Sequence, residues 1–462
     1  MTINRVDIGA KFRRDILIPL YWKYIKHLKV LDYYQELQAH QWNTLKENHN
    51  LQRIKLFKLI QYASQNIPYY QKVIQEHQIS FSEDTILTDL KKFPLLTKNI
   101  IRKNFEQLYK FKDHTYYRNS SGGSTGEPVI FYQDSNYFAW NTAAKIFFDE
   151  WAGRKLGEPM VKLWGSTRDI LRGGQGFKDY LRQQISGVTI LGSSKMTDQD
   201  KYQYVLWINQ IKPCLILAFT NSIDELTNFI QDHHLSVYSP PAIMTSSGVL
   251  FPEIRARIQK VFHTAEIFDR YGSREVGDMA CNCEKSEGLH LLPDIHYLEI
   301  VDNNGKEVNQ GEEGNIIVTL LTNYTMPLIR YQIGDLGILS ERNCQCGRES
   351  PLLEKVVGRI NSKFKNKFGD FIGAGIFYPL FYFHTNIRQF QIIQERADSI
   401  LINLVLMDKT KLKDMDNNFK EINQKIEKIM GHKTTIKYNL VDEIQPSPSG
   451  KYLYAFSKVE KV

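Results

Sequence analysis

Long hydrophobic runs are missing from this chain. No segment approaches the ~20 apolar residues that span a bilayer as a helix, and the first residues show neither the short apolar core nor the small-residue cleavage site of a secretory signal. A cytoplasmic location is expected. Cysteine is scarce, five in 462 residues, which excludes a scaffold built on disulfides. Internal repeats and low-complexity linkers are absent, which argues against solenoids and fibrous chains. An excess of one charge is lacking too: 59 basic against 51 acidic residues leave only +8, spread along the chain, so no nucleic-acid partner is expected.

What is present is an ordinary globular composition, 42% hydrophobic and 24% charged, at a length that calls for two or more domains. "DILIPLYWKYIKHLKVLDYY" (Asp15–Tyr34) mixes Trp22 and several Tyr with Lys23, Lys26 and Lys29, as an interfacial amphipathic helix or one packed on the body would. Residues 30–112 carry helical periodicity with breaks at "NIPYY" (Asn66–Tyr70) and "KFPLLTK" (Lys92–Lys98). From about 128 to 340 the short runs "VIFY", "CLILAF", "IRARIQKVF", "AEIFDRYG", "YLEIVD" and "GNIIVTLLT" alternate with helical segments, which favours an α/β architecture with buried sheet. Within "CLILAF", Cys214 reads as a buried thiol. After Arg359 the pattern changes: "QFQIIQE" and "SILINLVL" read as strands, Asp414–Met430 as an amphipathic helix and "TTIKYNLV" as a last strand. The expected fold is a large multi-sheet α/β N-terminal domain, 1–357, mainly helical over 1–112, with a small mobile α+β C-terminal domain, 358–462.

Ser120, Ser121, Gly122, Gly123, Ser124, Thr125 and Gly126 form an unbroken Ser/Gly/Thr run directly before "PVIFY". A linker would join two compact units; here the run stands inside one α/β body, so a shaped loop is the better reading. Its glycines allow close backbone approach and its N–H groups can share one concavity, a geometry suited to phosphate. It is neither a Walker A loop nor the dinucleotide fingerprint. Three further stretches follow in order: "DRYGSREVGDMA", with Glu275; "MPLIRYQIGDLG" and then "VVGRI", with Asp335 and Arg359; and "PSPSGKYLYAF", with Lys451. Each polar residue alone could be a solvated surface group. The ordered set is hard to obtain by chance.

This ordered set resembles the superfamily of adenylate-forming enzymes that includes acyl-CoA synthetases, and within it the phenylacetate-CoA ligase branch with its CapK-like relatives in capsular polysaccharide synthesis. "NIPYYQKV" and "KFPLLTKNIIRKNF" are similar to the opening segments of that branch, and "YGSREVG" leans toward the CapK-like members. The resemblance implies that Ser120 to Gly126 hold the phosphates of ATP, that Tyr271, Gly272 and Ser273 lie at the adenine, that Glu275 binds Mg2+, and that Asp335 and Arg359 meet the ribose. Lys451 would bridge the substrate carboxylate and the α-phosphate. The implied reaction converts a carboxylate to acyl-AMP with release of pyrophosphate and then transfers the acyl group to CoA or to a sugar amine or hydroxyl. Gly123 stands where the family usually has Thr, Arg274 where many members have a small hydroxyl residue, and Asn361 and Ser362 replace an acidic hinge pair. The acyl pocket, expected between residues 131 and 250, differs from that of an aryl-acetate enzyme.

The remaining cysteines come as two Cys-x-Cys pairs, "CNCEKSEGLH" and "CQCGR". Soft ligands in a reducing compartment argue for zinc. The relatives' pattern selects Cys283, His290, Cys344 and Cys346 for a structural Zn2+ site, with Cys281 as the alternative ligand. The competing functions are a nucleotide-binding protein without chemistry and a surface protein that recognises phosphate in a lipid or polysaccharide. Peripheral membrane association and a homodimer stay open.

Overall fold

The computed structural model describes residues 8–111, 116–121, 129–165, 185–193, 196–359, 363–377, 380–381, 384, 386–408, 410, 416–445 and 454–459. Two compact units emerge: residues 1–333 with 337–356, and 334–336 with 357–462.

The first unit opens with helical turns from Ile8 to Ile25 that widen to π geometry at Arg13–Leu17 and Tyr21–Ile25. Pro19 sits between the two wide stretches and has no N–H for the regular ladder. The single helix expected over Asp15–Tyr34 does not form, because the chain breaks after Ile25 and His27 takes a left-handed φ of 52°. Helices α1 (Val30–His40), α2 (Leu45–Asn66) and α3 (Pro68–Glu76) follow. Thr44 and Glu47 cap α2 reciprocally, and the next residue pair, Ile67 and Pro68, ends it because a residue before proline is pushed to extended backbone.

Strands β1 (Tyr116–Ser120) and β2 (Ile130–Asp134) pair antiparallel, and β1 was not expected from sequence. Helix α4 (Ser135–Trp151) starts at Asp134, whose carboxylate accepts the Tyr137 N–H. Beside that two-stranded sheet, and in keeping with the expected multi-sheet domain, stands one of 11 strands: β3 (Met160–Leu163), β4 (Val188–Leu191), β5 (Leu215–Phe219), β6 (Ala242–Ser246), β7 (Glu266–Ser273), β8 (Gly277–Asn282), β9 (Leu289–Leu291), β10 (His296–Val301), β11 (Glu313–Leu320), β12 (Tyr331–Leu339) and β13 (Leu352–Arg359), in the order β10-β11-β12-β13-β9-β8-β7-β6-β5-β3-β4. Strands β3 to β7 are parallel neighbours, linked among the described residues by α5 (Asp198–Ile211), α6 (Thr220–Asp232) and α7 (Pro252–Val261). Every residue of β5 and β6 is buried, as befits strands covered on both faces. At β7 the connection changes to a tight hairpin, and β7, β8 and β9 run antiparallel.

Two readings need correction. "IRARIQKVF" lies largely in α7, where Pro252 starts the helix and Ile254 and Ile258 bury one face at i, i+4 spacing. Cys214 precedes β5 and is only partly buried. Arg330 ties the helical region to the sheet, pairing with Glu299 at 3.0 Å and donating to the carbonyls of Lys91 and Phe93.

The second unit holds β14 (Lys363–Lys365) with β15 (Phe371–Gly373), and a sheet ordered β18-β17-β16-β19 from β16 (Ile387–Arg396), β17 (Ser399–Leu406), β18 (Thr435–Leu440) and β19 (Ala455–Ser457). Helix α8 (Asp416–Met430) crosses between the parallel strands β17 and β18, burying Ile422, Ile426 and Met430 at fourfold spacing. "TTIKYNLV" is therefore not the last strand. Three-residue β19 pairs with β16, far away in sequence, and such a strand leaves no periodicity to read.

Candidate active site

Positions Ser120 and Ser121 stand at the root of the Ser/Gly/Thr run. Ser121 donates its N–H to the Val129 carbonyl at 2.8 Å and accepts the Val129 N–H on its hydroxyl at 2.9 Å, closing the base of the loop. A second turn braces that base: Asp134 Oδ2 accepts the N–H groups of Tyr324 and Thr325, and the Asn323 amide donates to the carbonyls of Tyr132 and Met326. Gly122, Gly123, Ser124, Thr125, Gly126 and Lys451 lie outside the described residues.

The hairpin between β7 and β8 carries Tyr271, Gly272, Ser273 and Glu275. Its turn is fastened from outside at each carbonyl that could sag. Gln133 donates to the carbonyls of Arg274 and Glu275 at 2.9 and 3.2 Å, and His296 Nε2 meets the Val276 carbonyl at 2.7 Å. Burial lowers His296 to about 4, so the ring stays neutral and serves as a strut. The two glycines are required by space. A Cβ on Gly272 would stand 2.5 Å from the Gly277 carbonyl oxygen, and Gly277, at φ +81°, would place one 2.4 Å from Asn141 Oδ1. Glu275 ends up only 7% exposed, with Tyr331 donating its hydroxyl to Oε1 at 3.3 Å. Gln133, Tyr331 and His296, none of them singled out by the sequence, do this positioning. Gln133 was legible only as a polar residue inside an apolar strand.

Asp335 is buried on β12 and Arg359 closes β13. Among the described residues, Cys283, His290, Cys344 and Cys346 come together with ligand atoms all within 4.8 Å of one another. Pairing of β8 with β9 sets Cys281 opposite His290, and the loop between β12 and β13 supplies the later pair. Cys281 stays outside the group, on β8 opposite Arg270. The Cys283 and Cys344 sulfurs are 3.5 Å apart, and Cys346 Sγ is 3.4 Å from His290 Nε2. These are the edges of a tetrahedron with bonds of about 2.0–2.3 Å, and three thiols with one imidazole is a zinc donor set. His290 Nδ1 meets Ser350 Oγ at 3.0 Å, which orients the ring. Burial, then the charge of Arg348, lowers His290 to about 4, leaving it neutral as a ligand must be. The guanidinium of Arg348 lies 4.8 Å from the Trp42 ring and 4.4 Å from Trp151, bolting the Cys344–Cys346 loop to the helices.

Residues 364–458 match the model of the CapK C-terminal domain. Protein CapK of Staphylococcus aureus is 24% identical over 448 residues, 95% of this chain and 94% of its own length. Phenylacetate-coenzyme A ligase of Thermus thermophilus is 26% identical over 326 residues, 67% of this chain and 70% of its own length. Among solved structures, 2-hydroxyisobutyryl-CoA ligase in its postadenylation state superposes with a TM-score of 0.71 at 17% identity, covering 91% of each chain. The chain is thus similar over nearly its whole length to CapK and over two thirds of it to a phenylacetate-coenzyme A ligase, and it shares the fold of 2-hydroxyisobutyryl-CoA ligase.

Proposed function

We propose that the protein is an AMP-forming ligase that joins ATP and a carboxylic acid into acyl-AMP and then passes the acyl group to CoA or to an amine or hydroxyl of a surface polysaccharide precursor. The observation that carries this reading is the fastened β7–β8 hairpin, which holds Glu275 buried against Tyr331 in a chain similar to CapK over nearly its whole length. A carboxylate oxygen attacks the α-phosphorus, the bond from that phosphorus to the bridging oxygen breaks, and pyrophosphate leaves. Two anions must approach, so the protein's task is positioning and charge neutralisation. Backbone N–H groups of the Ser120–Gly126 loop would cradle the phosphates, Tyr271, Gly272 and Ser273 would flank the adenine, and Asp335 with Arg359 would take the ribose. Lys451 would neutralise the charge that gathers between carboxylate and α-phosphate. The Glu275 carboxylate, met by a hydroxyl rather than a cation among the described residues, suits Mg2+, which when bound supplies positive charge to the phosphate oxygens. The cysteine–histidine group would hold a structural Zn2+. ATP–pyrophosphate exchange across a panel of carboxylic acids, with and without CoA, tests the reading; ATP binding without exchange for any acid would favour a nucleotide-binding protein without chemistry.

A cytoplasmic enzyme held at the inner face of the membrane is the location we propose. No helix among the described residues is long and apolar enough to cross a membrane, but Phe12, Ile16, Leu20, Tyr24 and Ile25 are exposed along one line of the N-terminal turns, while Arg13 and Trp22 pack on the body. Lys11, Arg14, Lys23 and Lys26 accompany the apolar line, a pairing that fits an anionic lipid surface. Co-sedimentation with phosphatidylglycerol vesicles should be strong for the wild type and lost for a Phe12→Ser, Leu20→Ser double variant. Equal sedimentation of the two would remove the proposal.

A further inference from the structure

The loop that carries the later cysteine pair has no regular structure between Leu339 and Leu352, and three consecutive residues just after it divide their contacts between the cysteine–histidine group and the helical region. Arg348 donates its N–H to Cys346 Sγ at 3.5 Å, while its side chain runs the other way: Nε donates to Gln41 Oε1 at 3.1 Å and the guanidinium lies over the rings of Trp42 and Trp151. Its Nη1 also reaches Glu284, next to Cys283, at 3.3 Å. Glu349 turns toward the helices. Its carboxylate accepts the Leu45 N–H at 2.8 Å, one of the first-turn donors that α2 leaves without a helical partner, and its carbonyl accepts the amide of buried Asn48 at 3.3 Å. Ser350 turns back and meets His290 Nδ1 at 3.0 Å. The tripeptide therefore touches two of the four ligands with a main-chain N–H and a hydroxyl, and both ends of the turn between α1 and α2 with the rest.

That turn has little else to rest on. Trp42 and Leu45 are exposed, and among the described residues every long-range hydrogen bond of Gln41 to Asn48 goes to Arg348 or Glu349. A cavity of about 20 Å3, lined by His40, Gln41, Trp151, Arg348 and Ser350 among others, lies at the contact, so polar contacts rather than close packing join the two sides. The flanks are held without the ligands. Buried Asp294 takes His40 at 2.8 Å on one side and Lys55 at 3.1 Å on the other, and Tyr33, earlier on α1, stacks on Trp140 at 4.1 Å and donates to Asn136.

We propose that occupation of the cysteine–histidine group and seating of the α1–α2 turn are coupled, so that Zn2+ bound there orders Gln41 to Asn48 and the seated turn in return tightens the metal. The proposal rests on the zinc reading of the four ligands and is independent of the adenylation chemistry. Coordination fixes Cys346 and His290, and Arg348 and Ser350 are bonded to those two residues directly. Without coordination the loop loses its single arrangement, and a segment supported by that loop loses its support. Linkage requires the converse: a helix-side contact that steadies the loop must raise the affinity for the metal.

The test measures zinc affinity by competition with a chromophoric chelator, and backbone hydrogen exchange of the full chain with and without the metal. Trp42→Ala removes an exposed ring stacked on Arg348, and Gln41→Ala removes the acceptor of Arg348 Nε; neither belongs to the ligand set. Each should bind zinc about tenfold more weakly, the range expected of groups that orient ligands from behind, whereas Trp207→Ala, at an exposed tryptophan on α5, should bind it as the wild type does. In the wild type, removing zinc should speed exchange over Gln41–Asn48 by about tenfold or more, and leave the first turns of α1 and all of α6 as they were. Wild-type affinity in both helix-side variants, or exchange at Gln41–Asn48 that ignores the metal, overturns the proposal and leaves the zinc site in place. Exchange that speeds up alike over the whole chain overturns it too, since the metal would then be a general staple. A chain that binds no zinc removes the zinc reading and the proposal together, while pyrophosphate exchange on the same samples reports separately on adenylation.

Discussion

Lys162 carries a cost that its surroundings do not relieve, and that cost has a sign in pH. Its pKa falls from the ordinary 10.5 to about 8 through burial, with Arg270, Lys145 and Arg154 opposing the charge and Asp149 favouring it. Between those two values the unfolded chain binds the extra proton, so the group's contribution to stability rises with pH across that window and is lowest below it. Lys162→Met should therefore be more stable than wild type near neutrality, with the gap closing from about pH 8 to about pH 10; urea midpoints of the two proteins measure it, and a gap independent of pH would contradict the assignment. In the proposed chemistry Glu275 makes the opposite case, a buried group that would be kept for its charge. Glu275→Gln keeps the shape and the Tyr331 contact but loses the charge, so melting should hardly change while pyrophosphate exchange falls about a hundredfold or more. A variant that unfolds early would make Glu275 a structural carboxylate.

At the scale of elements, the stretch from β8 to β13 depends on two connections that carry no regular structure of their own. Cys283 leaves β8 and His290 sits on β9, while Cys344 and Cys346 come from the loop before β13. Each thiol also takes or offers contacts that only a fixed loop maintains, such as the Lys285 N–H on Cys283 and the Arg348 N–H on Cys346. Protein purified without a polyhistidine tag should contain one zinc per chain, and Cys344→Ser should lose the metal and about 3 kcal/mol or more of stability. Metal-free wild type that melts at the same temperature would deny the site a structural role. Cys281→Ser should keep the metal, since its sulfur stands apart from the four.

For the whole molecule, the proposed mechanism makes Lys451 a group used in one half-reaction. Lys451 belongs to the second unit by sequence, and in the proposed chemistry it serves only while the carboxylate attacks the α-phosphorus. Lys451→Ala should leave folding, zinc and ATP affinity close to wild type and slow adenylation by several orders of magnitude, about 3 kcal/mol or more. Supplied with chemically prepared acyl-adenylate, the variant should complete acyl transfer at nearly the normal rate. Equal loss in both half-reactions would show that the lysine serves something other than the first step.

Much of this was local enough to read in sequence. Pro68 and Pro94 punctuate the helical region because proline forbids the helical neighbour before it. The runs that became β5, β7, β10 and β11 announced themselves by clustered apolar and β-branched residues, unbroken in β5, which is buried along its whole length. The two Cys-x-Cys pairs and His290 were legible as metal-ligand candidates by residue type and spacing, and the resemblance to relatives singled out four of the five. What sequence could not supply was register and facing. The short strands β1 and β19 exist only through their partners, and Gln133 reaches the Glu275 turn across 142 residues of chain, His296 across 20. Arg348, Glu349 and Ser350 read as three ordinary polar residues after a Cys-x-Cys pair. Tertiary structure alone made them a link between the ligands and the helices, because α1, α2 and β9 had to meet the loop before each side chain could find its partner.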